Sequence, residues 1–128
     1  MIAHIGITVS DLEKSKKFYA EALKPIGYRM LREYGVTDTR PAASAGFGEP
    51  PRADLWLYQG TPSKATPHIA FQVNKRSLVD AFYQAAIAAG GKDNGGPGLR
   101  PQYNPNYYGA FILDLDGYNI EAVCREPE

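Results

Sequence analysis

The chain has only two histidines, His4 and His68, and they stand 64 residues apart in a protein of 128. Each opens the same short pattern: His4-Ile5-Gly6-Ile7-Thr8-Val9, then His68-Ile69-Ala70-Phe71-Gln72-Val73. Neutral imidazole is the commonest metal ligand, and histidine titrates near neutrality. Two imidazoles at equivalent points of a repeat, related by a pseudo-twofold axis, are therefore expected to converge on one centre. Glu121 is the third candidate. In Tyr118-Asn119-Ile120-Glu121-Ala122-Val123-Cys124 the residues Ile120, Ala122 and Cys124 share one face, which turns Glu121 to the other. A mid-strand carboxylate between apolar neighbours needs a partner. Displaced by the same 64 residues, Glu121 falls on Leu57, which offers no ligand atom. The expected site is thus His4, His68 and Glu121 with vacant positions for water or substrate, a catalytic rather than a structural pattern. Two imidazoles and one carboxylate suit non-haem Fe(II), and Zn, Mn, Ni or Co are compatible.

The elements that must position these residues follow from the repeat. The correspondence continues through Phe18 and Phe82, Tyr19 and Tyr83, Ala22 and Ala86, and Gly27 and Gly91. It predicts one domain of two copies, about 1–62 and 63–128. Each histidine strand alternates with period two, with one apolar face and one carrying the histidine and small or polar residues. A helix follows each strand. Ser10 and Glu13 form a capping-box pattern before the stripe Leu12, Phe18, Tyr19, Ala22 and Leu23, and Pro25 and Gly27 stop it. Ser77 and Asp80 begin the second helix more loosely, and Gly90-Gly91 ends it. Three strands complete each copy: Tyr28–Tyr34, Ala43–Glu49 and Asp54–Gln59 in the first, and a weakly marked one at 92–99, Tyr107–Leu115 and Tyr118–Arg125 in the second. The predicted class is α+β: two tandem βαβββ modules forming an open, cup-shaped mixed sheet with the helices outside.

Two irregular stretches, 35–53 and 92–106, are long enough to be binding loops. If Asp116-Gly117 is a two-residue turn, Ile112 lies opposite Glu121, and Tyr108 shares the cavity face with it. Beside Glu121, proton transfer is then expected from Tyr108, a water or the substrate itself. Arg100, Tyr103, Tyr107 and Tyr108 form an expected wall that stacks a planar group and meets an anion. Arg40 and Leu57 are expected substrate contacts in the first copy, and Trp56 is assigned to the packed face.

Composition narrows the partners. Lys and Arg number 14, as do Asp and Glu, so the formal net charge is zero and no basic run marks a nucleic-acid surface. No apolar stretch reaches the roughly 18–20 residues of a membrane span, and no signal peptide is visible. The lone Cys124 fits a buried position in a reducing cytoplasm.

The segments His4 to Leu12, Phe18-Tyr19, Pro67 to Phe71 and Asp114 to Glu121 resemble the vicinal oxygen chelate superfamily, which includes glyoxalase I, extradiol dioxygenases, and fosfomycin and bleomycin resistance proteins. The resemblance covers the whole chain. It implies paired βαβββ modules, a divalent metal held by His4, His68 and Glu121, frequent homodimers, and a small substrate that chelates the ion through neighbouring oxygens. Glyoxalase I usually adds a glutamate where this chain has Leu57. The three-ligand pattern is that of dioxygenases and fosfomycin-type transferases. Isomerase or lyase, transferase and ring-cleaving chemistries all remain open, and so does sequestration of an antibiotic or aromatic compound without catalysis.

Overall fold

A computed structural model describes all 128 residues. The order is β1 (Ile5–Val9), α1 (Leu12–Ala22), a 3-10 turn (Lys24–Ile26), β2 (Arg29–Tyr34), β3 (Ser44–Gly48), β4 (Leu55–Gln59), β5 (His68–Val73), α2 (Arg76–Ala88), β6 (Lys92–Asp93), β7 (Gly98–Leu99), β8 (Tyr108–Leu113) and β9 (Asn119–Cys124). The first half builds a sheet of order β1-β4-β3-β2. The second builds β5-β9-β8-β6, with β7 also on β8. β1 runs parallel to β4, and β5 to β9; the other pairs are antiparallel. The α+β class and the two open βαβββ modules are as the repeat predicts. The weakly marked strand at 92–99 is two short pieces separated by Gly95, which has φ 131°.

Each helix covers one face of its own sheet. From α1, Leu12, Phe18, Tyr19 and Ala22 are buried, and from α2, Val79, Phe82 and Ala86. The helices also pack on each other, so both covered faces join one core of 22 buried residues. Polar bonds tie the modules further. The Tyr19 hydroxyl bonds the buried Asp114, the Tyr118 hydroxyl donates to the Thr8 carbonyl at 2.5 Å, and Ser10 binds Asp116 through N–H and Oγ. Since both covered faces meet in the middle, the two open faces lie on opposite sides of the shared core.

The caps differ from the sequence pattern. Asp11, not Ser10, caps α1, its carboxylate accepting from the Lys14 N–H, because Ser10 is spent on Asp116. Lys75 stands at the N-cap of α2 and makes no side-chain capping bond, and Asp80 instead accepts from Tyr108. Gly27 ends the 3-10 turn at φ 91°, where a side chain would be strained. Cys124 is free and buried. No helix is long and apolar enough to cross a membrane.

Candidate metal and substrate site

The centre of the second module is a histidine and a glutamate on adjacent parallel strands. Ala70 pairs with Glu121, and His68 with Asn119, one step away on the same open face. The His68 Nε2 lies 3.1 Å from the Glu121 Oε1, and Nδ1 lies 3.1 Å from the Asn119 carbonyl oxygen. A carbonyl can only accept, so Nδ1 carries a proton, which leaves Nε2 as the ring nitrogen that meets the carboxylate. Two electron-rich atoms facing each other need a cation between them, either a proton or a metal ion. Glu121 is 1% exposed, with buried Ile120 and Ala122 on either side. A buried carboxylate in such a setting is costly unless compensated. The donor set of nitrogen and carboxylate oxygen, with the far ring nitrogen anchored to the backbone, fits a divalent ion.

Glu121 has one further partner, the Tyr107 hydroxyl, which donates to Oε2. Burial, and then the bond to Glu121, push the Tyr107 phenol up to about 12, so the proton stays on the tyrosine at neutral pH. Gly109 makes this contact possible. A methyl group there would stand 3.2 Å from the Tyr107 ring and 3.3 Å from the Glu121 Oε2. His68, Tyr103, Tyr107, Phe111 and Glu121 line the resulting hollow, and the Tyr103 and Tyr107 rings meet edge to face at 5.1 Å.

The expected role of Tyr108 requires correction. Its ring points to the helix side, where the hydroxyl donates to Asp80 of α2 at 2.7 Å. The reason is the turn. Asp114 accepts from the Asp116 and Tyr118 N–H groups, and the Asp114 N–H donates to the Tyr118 carbonyl, closing a three-residue loop with Gly117 at φ 83°. This shifts the register by one, so Phe111, not Ile112, lies opposite Glu121. Arg100 is likewise committed elsewhere. Its guanidinium donates to the Gly96 and Gly98 carbonyls and rides over Phe111, stapling the loop without lining the hollow.

His4 lies on the other open face. It borders a cavity of about 610 Å³ with Tyr34, Thr39, Arg40, Pro41, Ala42, Ser44, Ala53, Trp56 and Tyr58. No residue is shared with the His68 hollow, and no three His, Cys, Asp or Glu side chains cluster anywhere in the chain. The expected convergence of both imidazoles therefore does not occur within one chain. Leu57 also departs from expectation, since it is fully buried in the core. The strand pairings show why. Gly6 pairs with Trp56 as Ala70 pairs with Glu121, so the repeat offset has become 65 by the last strand of each module. Trp56, not Leu57, is the counterpart of Glu121. It is a cavity residue rather than a core one, and it too lacks a ligand atom of the carboxylate kind.

The match to known proteins agrees with this architecture. The family model for the Glyoxalase/Bleomycin resistance protein/Dioxygenase superfamily matches residues 1–122. The chain belongs to that superfamily. A glyoxalase/bleomycin resistance protein from Albidiferax ferrireducens T118 is 30% identical, with a TM-score of 0.71 and coverage of 97% of this chain and 98% of that one. Two further structures share the fold. A glyoxalase I variant from Zea mays is 23% identical, with a TM-score of 0.75, over 99% of this chain and 46% of that one. A variant of the fosfomycin resistance protein FosX from Listeria monocytogenes, complexed with Mn(II) and 1S,2S-dihydroxypropylphosphonic acid, is 19% identical, with a TM-score of 0.70, over 96% and 88%. No curated protein matches the sequence. In this chain His4 and the His68–Glu121 pair line separate hollows. Tyr34, Trp56 and Tyr58 are the residues that sequence reasoning missed. For Trp56 and Tyr58 the signal is the alternation Leu55-Trp56-Leu57-Tyr58, whose leucines mark the packed face.

Proposed function

We propose that the chain is a metal-dependent superfamily enzyme acting on a small molecule that chelates a divalent ion through adjacent oxygens. His68 and Glu121 of one chain and the partner's His4 would hold the ion in a homodimer. The observation that carries this reading is the approach of His68 Nε2 to the buried Glu121 carboxylate at 3.1 Å, with the Tyr107 hydroxyl as that carboxylate's one further partner. The His4 cavity and the His68 hollow share no lining residue within one chain, and a second copy would join them. The FosX complex, with an ion and a ligand bearing adjacent hydroxyls, is consistent with that chemistry.

When bound, the ion supplies Lewis acidity toward substrate oxygens. The chain's own residues do the rest. The Asn119 carbonyl fixes the ring of His68 with Nε2 outward, and Tyr107 fixes one carboxylate oxygen of Glu121. The Tyr107 Oη holds the one phenolic proton beside the carboxylate, the position from which a proton can reach a substrate oxygen. Phe111 and Tyr103 line the hollow. Free, buried Cys124 fits a cytoplasmic protein. A second reading, sequestration of an aromatic compound, is favoured by the aromatic lining of the His4 cavity. It requires no metal.

The test mixes two defective variants, His4→Ala and Glu121→Ala, under conditions that allow subunit exchange. Each alone should bind no stoichiometric metal. Heterodimers place one intact set of ligands at one of their two sites, so the mixture should recover roughly a quarter of the wild-type sites. Elemental analysis reads the result, and absence of recovery would reject the intersubunit site.

A further inference from the structure

The cavity beside His4 has a chemical character of its own. Trp56 and Tyr58 lie on the open face of β4, and Tyr34 ends β2. Gly46 gives the indole room, since a methyl group there would stand 2.9 Å from two indole carbons. The Tyr34 and Trp56 rings are nearly parallel, 11° apart with centroids at 5.8 Å. The Arg40 guanidinium lies on the Tyr34 ring, 3.7 Å from its centroid. Arg40 makes no ion pair with any carboxylate of the chain. No acidic residue lines the cavity, whereas hydroxyls do: Tyr34, Thr39, Ser44 and Tyr58. Its volume, about 610 Å³, is that of a small-molecule site.

We infer that this cavity takes a planar aromatic or conjugated anion, a carboxylate or its equivalent. The ring of the ligand would lie against the Trp56 indole, which the Tyr34 ring backs, and its charge on Arg40. The flat wall selects a π-face, because offset stacking rewards planar over tetrahedral groups. A guanidinium with an unfilled fork in an aromatic setting selects an anion that can accept two parallel bonds. Within the chain, no carboxylate lines the cavity to repel that anion. The inference deepens the proposed function by naming the substrate class. It rests on that reading only for the claim that the ligand's oxygens come to lie beside the partner's Glu121 and His68.

Trp56 is the only tryptophan, so its fluorescence reports on this cavity alone. The experiment titrates the full-length protein, stripped of metal by chelator, with benzoate, benzyl alcohol and benzylammonium. Benzoate should quench Trp56 with a half-saturation about tenfold or more below that of benzyl alcohol, the margin a charge-assisted hydrogen bond supplies. Benzylammonium should be weakest. Arg40→Gln should erase the preference for benzoate over the alcohol, and Arg40→Lys should keep part of it. Equal response to the three probes, no response to any, or a benzoate preference that survives Arg40→Gln would overturn the inference. Metal content is measured separately on untreated protein. A chain that binds no metal yet keeps the Arg40-dependent preference would end the metal reading and support this one.

Discussion

Glu121→Gln separates a functional carboxylate from a structural one. The substitution keeps size and shape, and the amide oxygen can still accept from the Tyr107 hydroxyl. It removes the charge. Glu121 is almost wholly buried, with its side chain 2% exposed, whereas the side chain of His68 is 48% exposed. Breaking a fully buried ion pair costs about 3–5 kcal/mol because the surviving charge is stranded away from water. His68 is not stranded, so that cost does not apply in full. Removing the desolvation cost of the buried carboxylate then offsets much of what is lost. Without metal, the variant should lie within about 1 kcal/mol of the wild type, or above it. With metal at 100 times its dissociation constant, the wild type gains about 2.7 kcal/mol. For a chain of this length that is a rise in Tm of roughly 10 °C. The variant should gain almost none. Thermal melts of both proteins, with chelator and with added divalent ions, give four numbers. A metal-free variant destabilised by about 3 kcal/mol or more would make Glu121 a structural ion-pair partner. A metal-dependent rise surviving in the variant would remove Glu121 from the site.

Three more outcomes can be checked. Tyr107→Phe should weaken metal affinity about 10–100-fold in competition with a chromogenic chelator, the usual effect of losing a ligand's supporting bond. Tyr108→Phe should leave affinity unchanged and lose only its bond to Asp80, about 1 kcal/mol by thermal melt. Gly48→Ala puts a methyl 1.9 Å from the Arg52 carbonyl oxygen, a backbone atom that cannot step aside; a loss of about 2 kcal/mol or more is expected in urea melts. Burial raises the Asp114 carboxyl above its ordinary value, although bonds from Tyr19, Tyr118 and Asp116 oppose the shift. The folded state therefore holds that proton more tightly than the unfolded chain. Its contribution is fullest below the ordinary carboxylate range and is lost as pH rises through the raised value. Asp114→Asn should remove this slope, so its Tm relative to wild type should climb between pH 3 and 7.

The repeat made the modules legible because hydrophobic alternation and helix stripes are local properties. Both helices, seven of the nine strands and the positions of His4, His68 and Glu121 on open faces follow from it. Register was less accessible. The three-residue turn stabilised by Asp114 moved β8 by one residue against β9, which exchanged Tyr107 for Tyr108 beside Glu121. A one-residue drift in the repeat similarly exchanged Trp56 for Leu57. With a side-chain period of two, a slip of one reverses every face. Leu55-Trp56-Leu57-Tyr58 carried the right answer in its own alternation, and the imposed 64-residue offset overrode it. Arg100 departs from the expected wall for a different reason. Two glycine carbonyls captured its fork, and backbone acceptors leave no trace in composition.

The helix pair buried between the modules makes this molecule indivisible. Cutting it at the junction near residue 62 would not yield two small stable proteins, even though each half closes its own sheet. Each fragment would expose the side of its helix that packs on the other helix, and Tyr118 would lose the Thr8 carbonyl it reaches across to. Such fragments should be insoluble apart and recover only when co-expressed.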